Sequence, residues 1–140
     1  MRGAGHLDRA IATYRKGFEA DWRDAYPGVN AVTLMEIRDP GGEAQQELLH
    51  VVRFANARRI DDGVADYWDY ATLLELSVLS RDRGAAGAAA RKALAAVRER
   101  WEPLSTARNL AMISGARAAA GESLPWAEKI EMELRKAAGS

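Results

Sequence analysis

Three short polar ladders run through otherwise apolar stretches of this chain: Asn30 and Thr33; Asp69, Thr72 and Glu75; Thr106 and Asn109. Within each ladder the residues step by three, so on a helix they share one face. Amides, hydroxyls and carboxylates at that spacing supply hydrogen-bond donors and acceptors. An aromatic residue stands near the start of each ladder: Tyr26, Trp68 and Trp101. Brought together, the three sets would make one pocket with polar groups and stacking planes. The competing reading is helix capping, in which Asn30, Asp69 and Ser105 or Thr106 satisfy free backbone N–H groups. Capping does not cover Thr33, Thr72 or Asn109, which lie a turn further in.

Two arginines extend this chemistry. Arg53 sits in LLHVVRFANARR between valines and a phenylalanine, and Arg108 stands beside the third ladder. A guanidinium emerging from an apolar face can clamp a phosphate or carboxylate bidentately. Arg53 can equally cover the surface with its stem, or pair with an internal carboxylate such as Glu75. Arg58, Arg59, Arg91 and Lys92 read as solvated faces.

Catalytic signals are thin. Cysteine is absent, and the two histidines, His6 and His50, are too far apart in the chain for a histidine metal site. No Gly-rich phosphate loop, GxSxG or HExxH occurs. Asp66, Asp69 and Glu75 form an acid/base set in type only, because no nucleophile or metal partner accompanies them. The expectation is a non-enzymatic chain with no catalytic residue, no metal and no cofactor.

The elements that must position the ladders are helices. Alanine, leucine, glutamate and arginine dominate, all good helix formers, and no stretch alternates as a strand would. Breakers at Pro27-Gly28, Pro40-Gly41-Gly42, Asp61-Asp62-Gly63, Gly84, Pro103, Gly121 and Pro125 separate seven stretches of helical length. These run over about Leu7–Asp21, Val29–Arg38, Glu43–Arg59, Asp66–Arg81, Ala85–Arg100, from near Pro103 to before Gly121, and from Pro125 onward. Leu7, Ile11, Tyr14 and Phe18 make an amphipathic stripe in the first. Pro27-Gly28 read as a turn before the second. Trp22 reads as packing in the first hairpin, and Met35, Met112 and Met132 as core or interface filler.

An internal echo relates three of these stretches. YPGVNAVTLMEI, YWDYATLLELSV and WEPLSTARNLAMI each carry an aromatic residue, then Pro or Asp, then a helix with Ala31, Ala71 or Ala107 in its first turns. Those alanines are 40 and 36 residues apart, near the roughly 34-residue period of tetratricopeptide repeats (TPR). The predicted fold is all-α: about seven helices as degenerate TPR-like hairpins stacked in a right-handed superhelix. Residues 1–140 form a single domain, with 1–6 and 137–140 expected to be flexible. Equivalent faces of equivalent helices would then line one concave side.

Lys+Arg and Asp+Glu both number 20, so the electrostatic footprint of a general nucleic-acid binder is missing. No apolar run approaches the roughly 18 residues of a membrane span, and the N-terminus lacks the apolar core of a signal peptide. No nucleic-acid or membrane partner is expected, and the predicted location is cytoplasmic.

RAIATYRKGFEADWRDAYPGVNAVTLMEI, DYWDYATLLELSVLSRD and WEPLSTARNL together resemble the TRAF-binding, TPR-like region of apoptosis-signal-regulating MAP kinase kinase kinases, and most of all its bacterial relatives. The resemblance covers about residues 9 to 130. It implies a TPR-like superhelix without enzymatic activity. In the animal kinases it implies a regulatory scaffold contacting adaptor proteins. In the bacterial relatives it implies a sensor of a nucleotide-derived ligand, related to NAD or ADP-ribose, fused to or encoded beside effectors of predicted immune systems. On this chain the family's polar positions fall on Tyr26, Asn30, Thr33, Arg53, Trp68, Asp69, Thr72, Glu75, Thr106 and Asn109. The 140 residues include neither kinase nor effector, in keeping with a domain excised from a longer protein.

Two functional expectations follow. In the first, the concave face binds a nucleotide-derived small molecule to regulate a linked effector. Arg53 or Arg108 would hold phosphate, Trp68 or Tyr26 would stack, and Asn30, Asp69 and Asn109 would meet hydroxyls or ring edges. In the second, the same groove takes a peptide or an adaptor protein. A third reading has the domain self-associate through the apolar stripe of Trp126, Ile130 and Leu134.

Overall fold

A computed structural model describes residues 2–139, and among these it contains seven α-helices and no strand. They are α1 (Arg2–Ala20), α2 (Ala25–Arg38), α3 (Glu43–Asp61), α4 (Tyr67–Leu79), α5 (Arg83–Ala95), α6 (Trp101–Ala119) and α7 (Pro125–Gly139). The protein is all-α with TPR-like stacking of hairpins. α1 begins at Arg2 and α7 ends at Gly139; Met1 and Ser140 lie outside the described residues.

The breakers fall between helices or within their first or last turns: Gly84 lies in the first turn of α5, which spans Arg83–Ala95 and not Ala85–Arg100, and Pro27-Gly28 also need a correction. Pro27 and Gly28 are not a turn before α2 but part of its first turns. Asp24 is the cap, accepting the Tyr26 N–H at 3.1 Å. Proline is tolerated at the start of a helix, where its missing N–H would have no partner. Gly28 is there for contact: a Cβ at this position would stand 2.5 Å from Val52 Cγ2 on α3 and 3.0 Å from Phe18 Cδ1 on α1. Pro103 plays the same early-helix role in α6.

α1 packs on α2, α3 on both α2 and α4, α5 on α4 and α7, and α7 on α6. The even helices α2, α4 and α6 also pack on one another, all three pairs in contact. Ala31, Ala71 and Ala107, the alanines of the internal echo, are buried on these three helices. Side-chain links set the directions. Tyr67 and Thr106 meet at the N-terminal ends of α4 and α6, 2.8 Å between their hydroxyl oxygens. Arg117 reaches Val78 and Leu79 where α4 and α6 end. α4 and α6 therefore run parallel, and Glu36 near the end of α2, paired to Arg117, brings α2 into the same sense. Three helix N-termini open on one side.

The apolar core spans all seven helices: Ile11 and Phe18 of α1, Val32 of α2, Leu49 and Val52 of α3, Leu74 and Leu79 of α4, the alanine face of α5, Leu110 and Ile113 of α6, Ile130 and Leu134 of α7. Ile130 and Leu134 are thus used inside the chain, and the stripe proposed for self-association is not an open face. Met35 is core; Met112 and Met132 are exposed and so not core, and Trp22, expected to pack in the first hairpin, is exposed as well.

Candidate functional site

At the N-terminal ends of α2, α4 and α6 lies a cavity of about 540 Å³. Its walls come from Tyr26, Val29 and Asn30 of α2, from Trp68, Asp69, Thr72 and Glu75 of α4, from Ser105, Thr106 and Asn109 of α6, and from Arg59 at the end of α3. The cap residues Asp24 and Asp66 complete its rim. The volume is that of a small-ligand or side-chain pocket.

The structure brings eight of the expected residues to this one cavity: Tyr26, Asn30, Trp68, Asp69, Thr72, Glu75, Thr106 and Asn109. Thr33, Arg53 and Arg108 are not among its walls. Thr33 lies one turn further along α2 and is buried. Arg53 donates through Nη1 to Ser80 Oγ at 3.1 Å, at the far end of α4. α3 runs antiparallel to α4, so Arg53 meets the end of α4 while Arg59 meets its beginning. Arg108 is exposed on the outside of α6. Neither arginine expected to hold phosphate is at the cavity.

Arg59, read from the sequence as a solvated surface residue, is the cavity's one guanidinium. Its Nε donates to Asp69 Oδ1 at 2.5 Å, and this hydrogen bond, reinforced by the charge of Asp69, holds it firmly protonated. Asp69 is doubly committed, since its other oxygen accepts the Asp66 N–H at 3.0 Å. Asp66 Oδ1 in turn accepts from Trp68 N at 3.0 Å and Asp69 N at 3.3 Å, a reciprocal capping box. For Asp69, then, the capping reading is right. For Asn30 it is not: Asp24 caps α2, and Asn30 Nδ2 donates back to Tyr26 O at 2.9 Å, which leaves its Oδ1 to the cavity.

Beside Trp68, the Tyr67 hydroxyl is hydrogen-bonded to the Thr106 hydroxyl of the cavity wall. The Tyr67 phenol is pushed up to about 12 by burial, with the Thr106 hydrogen bond working against the shift and the charges of Glu75 and Glu102 adding to it. Trp68 stands edge-on to Tyr67 at 5.1 Å between ring centres and lies against Trp101 at 5.5 Å. Trp101 is 59 % exposed and backs Trp68 rather than lining the cavity. Glu75 lies two turns into α4 and is only 6 % exposed. Burial pushes its carboxyl up to about 7, opposed only by a hydrogen bond from the Asn109 side chain.

Chemically the arrangement offers acceptors, hydroxyls, an indole face and a surplus of carboxylates. It has no nucleophile–base pair, and no group of His, Cys, Asp or Glu among the described residues is disposed to hold a metal ion. No helix of the described residues is long and apolar enough to cross a membrane.

The family model of the MAP3K TRAFs-binding domain matches residues 1–133. The chain belongs to this family. The match spans nearly its whole length, so the even helices and the cavity at their N-termini are features of a family member and not of an appended segment. Neither the curated proteins nor the solved structures contain a match to the chain.

Proposed function

We propose that the protein is a non-enzymatic interaction domain of the cytoplasm, and that the cavity at the N-terminal ends of α2, α4 and α6 receives a segment of a TRAF-type adaptor. The observation that carries this reading is the match of the TRAFs-binding family over residues 1–133. The cavity supports it as the place of contact, because it gathers unspent polar groups from three helices beside an indole face. A partner segment docking there would gain oriented hydrogen bonds and aromatic contact in one patch, the usual make-up of an interaction hot spot. The nucleotide reading is supported less well, since the only guanidinium among the described residues lining the cavity is occupied by Asp69 and four carboxylates share the walls and rim with it. The absence of cysteine fits a reducing compartment.

Interferometry of the purified chain against purified TRAF-type adaptor domains tests the proposal. Binding that weakens at least tenfold in N30A and N109A, with helix content unchanged, is the expected result. No adaptor binding at the highest soluble concentration overturns it. So does calorimetric heat from ADP-ribose or NAD with none from any adaptor.

A further inference from the structure

We infer that the cavity accepts a guanidinium group from an arginine of the bound partner, with the Glu75 carboxylate as its buried counter-charge and the Trp68 ring as its flat wall. This rests on the reading of the cavity as the partner's docking place. The walls and rim hold four carboxylates and one guanidinium. Three of the four are occupied. Asp24 and Asp66 accept helix N–H groups, and Asp69 is matched by Arg59. Glu75 has no cation within ion-pair distance among the described residues; its one partner is the neutral amide of Asn109. It also lies beyond the first turn of α4, where the helix dipole no longer helps it. One turn above it, Thr72 is 9 % exposed, lines the same cavity and makes no hydrogen bond among the described residues.

A buried carboxylate without a cation, and beside it a hydroxyl free to bond into the same space, are groups that a ligand would satisfy. A cation is favoured over an anion by the surplus of carboxylates. A guanidinium is favoured over an ammonium by shape. It is planar, it can donate two parallel hydrogen bonds to a carboxylate, and its edges can reach Asn30 Oδ1 and the Thr72 hydroxyl while a face rests on an indole. Partial protonation of Glu75 adds a regulatory consequence, because a proton and the guanidinium compete for one carboxylate. The titratable groups around it are Asp24 and Tyr26 at α2, Arg59 at α3, and Asp66, Tyr67 and Asp69 at α4; the lining residues of α6 are uncharged, and α5 contributes none.

Calorimetry on the full chain tests this with acetyl-Gly-Arg-Gly-amide, its citrulline and lysine counterparts, and N-acetylarginine amide. The arginine peptide should bind more tightly than the lysine peptide, and the citrulline peptide should not bind measurably. Its affinity should fall about tenfold from pH 8 to pH 6, and at pH 7 binding should release about half a proton, as buffers of different ionisation enthalpy report. E75Q should lose the proton release and most of the affinity. Equal affinity for the arginine and citrulline peptides overturns the inference, as does arginine binding that is flat between pH 6 and pH 8. Equal affinity for the peptide and for N-acetylarginine amide overturns its assignment to a polypeptide. The citrulline comparison and the proton count use the unaltered chain and do not depend on E75Q folding. If adaptors bind and N30A weakens them while arginine earns no preference, only the guanidinium assignment fails. If arginine peptides bind as stated but no adaptor does, only the adaptor reading fails.

Discussion

Arg117 of α6 donates through Nε to Glu36 of α2 at 3.3 Å, across 81 residues of chain, with both side chains shut away from solvent. Its Nη1 and Nη2 donate to Val78 O at 2.8 Å and Leu79 O at 3.0 Å, two carbonyls at the end of α4. Glu36 is completed by Gln45 Nε2 at 2.5 Å. One guanidinium therefore ties the C-terminal ends of α2, α4 and α6, and the opposite ends of these same helices open as the cavity.

Removing that guanidinium should be severe. Burial works against the charged form of Arg117 and lowers its pKa, and the Glu36 carboxylate opposes this only in part. R117M would leave buried Glu36 only the longer ion pair to Arg81 Nη2 at 3.6 Å, and would remove the shorter side-chain donors to Val78 O and Leu79 O. The expected loss is about 3–5 kcal/mol, with Tm lowered by roughly 10 °C in thermal denaturation. E36L/R117M should recover part of the loss but not all, because the Arg117 hydrogen bonds to the Val78 and Leu79 carbonyls stay lost. A Tm for R117M within about 3 °C of the parent would show that the tie is unimportant.

Gly28 tests the approach of α2 to its neighbours. G28A would improve helix propensity by about 1 kcal/mol, yet its methyl would stand 2.5 Å from Val52 Cγ2. Overpacking should win, with a net loss of about 1–3 kcal/mol by urea denaturation. V52A makes room for the same methyl, so G28A/V52A should be less destabilised than the sum of the two single changes. Strict additivity would show that the clash relaxes elsewhere.

Much of this architecture is legible in the chain. Helix starts and stops are local chemistry, and Asp66, Gly42, Gly121 and Pro125 act within a turn of where they stand. The ladder of Asp69, Thr72 and Glu75 is legible because its step of three matches the helix, and the echo in Thr106 and Asn109 marks a second helix facing the same cavity. Thr33 obeys that spacing as well as Asn30 does, but its burial depends on which neighbour covers the next turn of α2. Arg59 carries no local signal, since its role depends on Asp69 across a helix crossing. Glu36, Gln45 and Arg117 are the same case in the core: polar types whose burial follows only from mutual pairing. The one available hint is their position within apolar stretches.

Arg81 stands at φ +60°, just after α4, where Arg81 N donates to Val78 O at 3.0 Å and Asp82 N to Ser77 O at 2.9 Å. This is a Schellman-type ending, and glycine is its usual residue at that place. Arginine holds it while making two bonds of 2.6 Å to Glu122 in the α6–α7 loop. R81A loses those bonds and keeps the backbone strain, whereas R81G loses the bonds and relieves the strain. R81G should therefore be more stable than R81A by about 1 kcal/mol in chemical denaturation. The reverse order would mean that unfolded-state flexibility outweighs the strain.

Glu75 makes stability depend on pH in a direction opposite to that of an ion-paired carboxylate. Its carboxyl ionises near 4.5 in the unfolded chain and at about 7 when folded, because burial favours the neutral form. Between those values the folded state binds the extra proton, so this residue's contribution to stability falls as pH rises from about 4.5 and is fully unfavourable above about 7. The size of the penalty is on the order of 3 kcal/mol. E75Q keeps the shape and the Asn109 contact without the charge. Its Tm relative to the parent should therefore be higher at pH 8 than at pH 5, where both forms present a neutral group. Glu102 and Glu122 are both held below the ordinary carboxylate range, Glu102 by backbone N–H groups and Arg98 despite its burial, Glu122 by Arg81. They are common to both proteins and cancel in the comparison. A difference in Tm that is constant across this range would mean that Glu75 is solvated through the cavity mouth and ionises as an ordinary glutamate.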